Sequence, residues 1–225
     1  MVTTRTHVLL DLDGTISDSS VGIGRSLQHA FESCGLTPPT ETQVRAVIGP
    51  PFEISLPRLG VPAADLERVV AAYHSRYESV GLYENDLYEG VVEMIDALAA
   101  DHTLAIATAK PESTAARIVE HFGLADRFAA QVGATVEIGS ARRTKAAVIT
   151  HALERLGIRA GDHVVMVGDR DHDVEGALAN GLDCIGVAWG FGSPDELTAA
   201  GAVVVADTPA RVVEAVTGKY RGAEP

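Results

Sequence analysis

Short apolar segments alternate with amphipathic segments along most of this 225-residue chain, and this alternation constrains the fold more than any other feature. The apolar segments are bounded by Gly or Asp and are too short for core helices, so they are typical of buried strands. Strands that alternate with helices of this length indicate βαβ units, and therefore an α/β fold with a parallel sheet. The predicted strands cover residues 7–12, 103–108, 130–133, 163–168, 184–188 and 203–205.

The segments between these strands have apolar residues at helical spacing and end at Gly or at a polar residue. The predicted helices cover residues 90–100, 111–122, 144–156 and 173–180.

One long segment interrupts the alternation. Between residues 17 and 87 no part of the chain has a convincing strand pattern, and prolines and glycines separate three helical patterns. These patterns cover residues 21–31, 42–48 and 64–79. We therefore predict a helical cap domain, residues 17–87, inserted into a core domain formed by residues 1–16 and 88–225.

The net charge of −13 restricts the possible partners. A surface this acidic repels nucleic acids and anionic lipids, so we expect neither a nucleic-acid polymer nor a membrane as a partner. The apolar run before Asp11 is too short for a secretory signal, and no segment is long enough to span a bilayer. These observations predict a cytoplasmic protein. We also expect a monomer or a homodimer, which these observations do not distinguish.

Acidic residues follow the first and fourth predicted strands. Asp11 lies near the end of the first predicted strand and Asp13 directly follows it, and Asp169 and Asp173 follow the fourth. Because ligands of an open α/β sheet bind beyond the carboxyl ends of its strands, we expect these side chains to converge. Carboxylates so close repel one another, and Mg²⁺ would relieve the repulsion while attracting an anionic substrate.

The sequence Asp11-Leu12-Asp13-Gly14-Thr15 has a specific chemical logic. Alternate residues of a strand point to the same side, so both carboxylates can face the same crevice. One carboxylate can then attack a substrate while the other transfers a proton to the leaving group. Gly14 permits the sharp turn that must follow.

Polar side chains near two other elements are further candidates. Thr108 ends a predicted strand and can donate a hydrogen bond to a phosphate oxygen, and Lys145 can stabilise phosphate charge from the start of a helix. Alone, a threonine at a strand end is usually structural and a lysine in the first turn of a helix is usually solvated. Lys110 is a similar candidate, although the proline after it is as consistent with a simple loop. Gly22-Ile23-Gly24 lacks the preceding strand and third glycine of a dinucleotide-binding loop.

In their order along the chain, these residues resemble the four motifs of the haloacid dehalogenase-like (HAD) hydrolase superfamily. The motifs are Asp11-Leu12-Asp13-Gly14-Thr15, Thr108, Lys145 and Gly168-Asp169-x-x-x-Asp173. The resemblance covers nearly the whole chain. It implies a doubly wound, Rossmann-like core with a helical cap that excludes water and selects the substrate.

The resemblance also implies a role for each matching residue. Asp11 would attack the phosphoryl group and form an aspartyl-phosphate, and Asp13 would act as acid and then as base. Thr108 and Lys145 would bind the phosphoryl oxygens. The implied Mg²⁺ ligands are Asp11, the Asp13 carbonyl and Asp169, with Asp173 in support. The residues expected to line the substrate phosphate are Gly14, Thr15, Ala109 and Lys110.

Within the superfamily the chain is most similar to the phosphoglycolate phosphatase-like group, including its 5′-nucleotidase-like members. The segments that carry this likeness are Ile48-Gly49-Pro50-Pro51, Ala107-Thr108-Ala109-Lys110-Pro111 and Met166-Val167-Gly168-Asp169-Arg170-x-His172-Asp173-Val174. The implied substrate is a small phosphomonoester. Ala109 departs from the Asn or Ser usual at this position, which removes one side-chain contact to phosphate.

Three alternatives differ in chemistry. Dehalogenases of the superfamily lack the second aspartate of the first motif, so Asp13 argues against them. A β-phosphoglucomutase-like mutase uses both aspartates but usually has Val where this chain has Thr15, which favours hydrolysis. A non-enzymatic receiver domain also combines Asp, Thr and Lys around Mg²⁺, but it is about half this length and lacks the helical insertion.

Overall fold

The computed structural model describes residues 6–135, 142–158 and 163–218. The chain divides into two compact units, the first comprising Met1–Ile16 and Leu87–Pro225 and the second Ser17–Asp86. We call them the core unit and the inserted unit. The roles of catalytic core and cap stay predictions.

The regular elements are numbered in chain order. The strands of the described chain are β1 His7–Leu10, β2 Ser17–Asp18, β3 Asp86–Leu87, β4 Thr103–Pro111, β5 Ala130–Ala134, β6 Val164–Gly168, β7 Asp183–Val187 and β8 Val204–Ala206. Its α-helices are α1 Ser20–Ser33, α2 Glu41–Val47, α3 Phe52–Arg58, α4 Leu66–Tyr77, α5 Val91–Ala99, α6 Glu112–His121, α7 Lys145–Leu156, α8 Asp171–Ala179, α9 Pro194–Ala200 and α10 Pro209–Val216. Short 3₁₀ helices cover Ala63–Asp65, Gly81–Tyr83 and Ala125–Arg127.

A six-stranded sheet in the order β5-β4-β1-β6-β7-β8 forms the centre of the core unit. All five neighbouring pairs are parallel. From β1 the strands extend outward in two directions, which is the doubly wound arrangement. The predicted α/β fold with a doubly wound parallel sheet is therefore confirmed. The switch in direction lies beside β1, and it places the carboxyl ends of β1 and β6 next to each other.

Both faces of the sheet are buried. Leu9 belongs to a hydrophobic cluster that contains Val148 and Ile149 of α7. Val8 and Leu10 point to the opposite face, because side chains alternate along a strand, and they are also fully buried. Strands that are apolar on both sides are typical of a parallel sheet covered by helices on both faces. Burial on this scale stabilises the fold by about 1.5–3 kcal/mol for each large apolar side chain.

Several helices begin and end at residues that satisfy their free backbone groups. The hydroxyl of Thr144 accepts from the Ala147 N–H at the start of α7, and Gly157 ends that helix with a φ of 69°. In the inserted unit, Thr40 and Gln43 form a reciprocal capping box at the start of α2. No helix among the described residues is long and apolar enough to cross a membrane.

The expectation that residues 17–87 contain no strand is wrong. The structure has two-residue strands at Ser17–Asp18 and Asp86–Leu87, which form a two-stranded sheet. Two residues are too few to show the alternating pattern by which a strand is recognised. Sequence reasoning also did not identify α3, α9 and α10. Helix α3 contains Pro57, which argues against a helix in sequence.

Glycine allows a close approach of the main chain inside the inserted unit. A Cβ atom on Gly22 of α1 would lie 2.0 Å from the carbonyl oxygen of Gly81. The Gly22 N–H also donates to the Glu84 carbonyl at 3.0 Å. A Cβ atom on Gly24, which lies in the same helix, would meet only Val44 Cγ1 at 3.6 Å, an ordinary contact. The two glycines of this segment therefore have different structural roles.

We expect Gly22→Ala to lower the free energy of unfolding by about 1–3 kcal/mol, because the added methyl group forces α1 away from the Gly81 backbone. Gly24→Ala is the matched control in the same helix, and alanine should stabilise it by up to about 1 kcal/mol. Urea denaturation followed by circular dichroism measures both changes. Equal effects of the two substitutions would show that the close approach does not matter.

Candidate active site

The predicted site residues lie where β1 and β6 end side by side. Asp11 follows β1 directly, and its N–H donates to the Val167 carbonyl of β6 at 3.0 Å. Asp169 directly follows β6. Asp11 is 4% exposed and Asp169 is fully buried. The end of the sheet at this switch point is where ligands of doubly wound folds bind.

Lys145 joins two of the predicted acidic residues. Its ammonium nitrogen lies 2.7 Å from Asp11 Oδ1 and 2.7 Å from Asp173 Oδ1. It also donates to the Ala107 carbonyl of β4 at 3.1 Å. Because Thr144 caps α7, Lys145 is the first residue of that helix. A lysine in this position is ordinarily solvated, but the side chain of Lys145 is buried within the site.

The three charges alter one another's ionisation. Burial acts to lower the pKa of Lys145, but the carboxylates of Asp11 and Asp173 outweigh it and raise this pKa above its usual value. Burial and the neighbouring Asp173 raise the pKa of Asp11, although Lys145 opposes them. Burial also acts to raise the pKa of Asp173, but Lys145 and His172 outweigh it and lower this pKa. The lysine therefore keeps Asp173 ionised in the protein interior.

Asp173 also shapes the loop that carries Asp169. Its Oδ2 accepts hydrogen bonds from the N–H groups of Asp169 and Arg170, both at 3.1 Å. Helix α8 begins at Asp171, two residues before the predicted start. Both oxygens of Asp173 thus contact donors of the protein. This arrangement gives Asp173 a supporting position behind the loop.

Asp169 is held through both of its carboxylate oxygens. Oδ1 accepts from the Thr15 hydroxyl at 3.2 Å, and Oδ2 accepts from the Phe191 N–H at 2.8 Å. Burial, followed by repulsion from Asp173 and Asp11, raises the pKa of Asp169 to about 8. Gly14 has a φ of 85°, and a Cβ atom there would lie 2.1 Å from Asp169 Oδ2. Only glycine fits this turn.

Asp13 forms a separate ion pair. Its Oδ2 lies 2.6 Å from the ammonium nitrogen of Lys110, whose backbone N–H donates to Thr108 Oγ1 at 3.2 Å. The pairing of β4 with β5 shifts between Thr108 and Pro111, so Ala109 and Lys110 leave the regular ladder. This irregularity brings Lys110 to Asp13. The structure therefore brings Lys110 into the site, although its sequence context was as consistent with a simple loop.

The donor set suits a divalent cation that prefers oxygen. Asp169 is a buried carboxylate among other carboxylates, and each of its oxygens has further accepting capacity beyond one hydrogen bond. Among the described residues, Asp11, His172 and Asp173 also form a group whose possible ligand atoms lie within 4.8 Å of one another. Both oxygens of Asp173 already contact protein donors, whereas Lys145 contacts Asp11 through Oδ1, which favours Asp11 and Asp169 as the metal-binding carboxylates. Mg²⁺ characteristically takes one or two carboxylates and retains water.

Sequence reasoning missed the loop that follows β7. This loop contains Trp189, whose Nε1–H donates to the Thr15 carbonyl at 3.1 Å, and Phe191, whose N–H reaches Asp169. The available signal was its place after a strand at the same edge of the sheet. Its two glycines, at positions 190 and 192, are a second such signal.

We expect Lys145→Met to lower the free energy of unfolding by about 3–5 kcal/mol, because it leaves two buried carboxylates without their cation. Lys110→Met should have a smaller effect, since Lys110 pairs with one carboxylate that is partly exposed. Urea denaturation in a chelator measures both. Adding Asp173→Asn to Lys145→Met should recover part of the lost stability. If the double variant recovers none of the lost stability, the proposed balance of charges around Lys145 is wrong.

Comparisons with known proteins identify the family of the chain. Residues 8–187 match the family described as haloacid dehalogenase-like hydrolase. The chain is 40% identical over 195 residues to a 5′-nucleotidase of Pseudomonas aeruginosa, covering 86% of this chain and 87% of the relative. It is 37% identical to the tyrosine-protein kinase PtkA of Mycobacterium tuberculosis, covering 88% and 67%. It is 31% identical to a phosphoglycolate phosphatase of Agrobacterium fabrum, covering 81% and 80%.

A solved structure shows the same fold. The crystal structure of a predicted phosphatase from Clostridium acetobutylicum matches with a TM-score of 0.87 and 33% identity, covering 94% of this chain and 98% of the other.

Proposed function

The chain is a phosphatase of the haloacid dehalogenase-like hydrolase family, and we propose that it hydrolyses a small phosphomonoester through an aspartyl-phosphate on Asp11, with Mg²⁺. One observation carries this proposal. The buried Asp11 carboxylate lies at the end of β1, beside the ammonium group of Lys145 at 2.7 Å. A carboxylate so placed is both oriented and close to a positive charge that can stabilise phosphoryl oxygens.

In the proposed reaction, an Asp11 oxygen forms a bond to phosphorus while the ester bond to the leaving alcohol breaks. Asp13, which must first take up a proton because its carboxylate pairs with Lys110 in the structure, donates that proton to the leaving oxygen. Asp13 then removes a proton from water, which attacks the phosphoryl group. This second step breaks the bond to Asp11 and releases inorganic phosphate, so both aspartates return to their starting states.

Other residues bind and orient the phosphate. Thr108 and Lys145 are proposed to contact the phosphoryl oxygens, and the ion pair with Lys110 orients Asp13. The phosphate pocket is proposed to be lined by Gly14, Thr15, Ala109 and Lys110.

The carboxylates of Asp11 and Asp169 and the carbonyl of Asp13 are the proposed ligands of Mg²⁺. Asp173 supports them through its hydrogen bonds to the loop of Asp169. When bound, Mg²⁺ would supply positive charge that offsets the repulsion between an acidic site and an anionic substrate.

The substrate is proposed to be a nucleoside 5′-monophosphate or a phosphoglycolate-like ester. The support is that two relatives are named 5′-nucleotidase and phosphoglycolate phosphatase. A panel of phosphate esters that includes both compounds, together with phosphotyrosine and a phosphosugar, would identify the preferred class from kcat/KM. The cytoplasmic location and the monomeric or dimeric state stay predictions from the sequence.

We expect Asp11→Asn to lower the rate of phosphate release from an aryl phosphate by at least about a thousand-fold, because the nucleophile is removed. Asp96→Asn, a neutralised aspartate paired with Arg127 on the surface, is the control and should retain activity. Substantial turnover by folded Asp11→Asn would contradict the nucleophile assignment.

A companion experiment identifies the intermediate. Asp13→Asn lacks the group that activates water, but the leaving group of an aryl phosphate departs without being protonated. A brief incubation with an aryl phosphate should therefore leave one phosphoryl group on Asp11. Peptide mapping by mass spectrometry locates it. A phosphoryl group on any other residue would be inconsistent with the mechanism.

Metal removal gives an independent test. We expect a chelator to abolish phosphate release, and added Mg²⁺ to restore it, because the site carboxylates otherwise repel the phosphate. Activity that persists in excess chelator after dialysis would refute the metal requirement.

A further inference from the structure

A closed ring of contacts surrounds the carboxylate of Asp169. Its Oδ1 accepts from the Thr15 hydroxyl at 3.2 Å, and its Oδ2 accepts from the Phe191 N–H at 2.8 Å. These two donors are themselves joined, because Trp189 Nε1–H donates to the Thr15 carbonyl at 3.1 Å and Trp189 lies two residues before Phe191. One indole thus connects the donors on both sides of one carboxylate.

The main chain between the two aromatic residues leaves little room for movement. A Cβ atom on Gly190 would lie 2.3 Å from Asp169 Cβ and 2.4 Å from the Gly14 carbonyl oxygen. The backbone of this loop therefore touches both Asp169 and the turn that carries Thr15. A shift of the loop must displace one or both of the groups that hold the carboxylate.

The indole has a second contact that does not involve its N–H. The ring of Tyr88 lies edge-on to it, with the ring centroids 6.5 Å apart. Replacement of Trp189 by Phe keeps an aromatic ring for this packing and removes the hydrogen bond to Thr15. This substitution separates the bond from the packing.

We propose that Trp189 is a positioning residue, which holds the carboxylate of Asp169 in the orientation that binds a divalent cation. It acts through Thr15 on one oxygen and through the loop amide of Phe191 on the other. The inference rests on the metal-binding role of Asp169 in the proposed function. Groups that hydrogen-bond to a metal-binding side chain and fix its orientation typically contribute 10–100-fold in metal affinity.

The test is calorimetric titration of the full chain with MgCl₂, which measures binding without turnover. Trp189→Phe should raise the Kd for Mg²⁺ about 10–100-fold. Its kcat at saturating Mg²⁺ should stay near the wild-type value, because the substitution contacts neither the nucleophile Asp11 nor Thr108 and Lys145, which are proposed to bind the phosphoryl oxygens. A loss of kcat that Mg²⁺ does not restore would contradict a positioning role.

Tyr88→Phe is the matched control, since it changes an aromatic neighbour of Trp189 and keeps the ring packing. It should leave both the Kd for Mg²⁺ and the activity unchanged. Thermal unfolding in a chelator establishes that each variant is folded.

Thr15→Val provides a second probe if Trp189→Phe is poorly folded, because it removes the other donor of the ring. We expect it to raise the Kd for Mg²⁺ as well. In the double variant, the two effects should combine to less than their product, because both act through one carboxylate. If the increases in Kd of the two single variants multiply in the double variant, Trp189 and Thr15 act independently and the ring of contacts is not the cause.

Asp169→Asn separates failure of this inference from failure of the proposed function. If it loses Mg²⁺ binding but folded Trp189→Phe binds as tightly as wild type, the role of Trp189 is wrong and the metal site stands. If Asp169→Asn binds Mg²⁺ as the wild type does, or if the wild type binds none, the proposed metal site and the role of Trp189 both fail.

Discussion

The ammonium group of Lys145 lies between the carboxylates of Asp11 and Asp173, and the arrangement of the site depends on this contact. Two buried carboxylates so close would otherwise repel each other. The lysine reaches them because α7 begins at that residue, with Thr144 as its cap. Its hydrogen bond to the Ala107 carbonyl also links β4 to the charge cluster.

The lysine compensates only part of the negative charge. Asp169 is fully buried near both of the other carboxylates, and its pKa is raised to about 8. A divalent cation would reverse this repulsion and stabilise the ionised carboxylate. Two hydrogen bonds fix this carboxylate in place: the Thr15 hydroxyl donates to Oδ1, and the Phe191 N–H in the loop after β7 donates to Oδ2.

The sequence alone identified the site residues that lie at the end of a strand within a recognisable local motif. Asp11 and Asp13 follow an apolar strand and precede Gly14, and this local pattern is sufficient to identify them as candidates. Lys145 has no such local signal, because its burial depends on α7 packing beside β4. Trp189 has even less, since its partner Thr15 is separated from it by most of the chain.

The sequence by itself determined the parallel α/β core, the inserted helical segment and the order of the acidic motifs. Those features follow from local periodicity and from turn residues, which depend on neighbours along the chain. Only the tertiary structure decided which donor holds which oxygen: Lys110 on Asp13, Lys145 on Asp11, and the Phe191 amide on Asp169. These contacts join residues distant in sequence, and packing of the sheet and helices sets them.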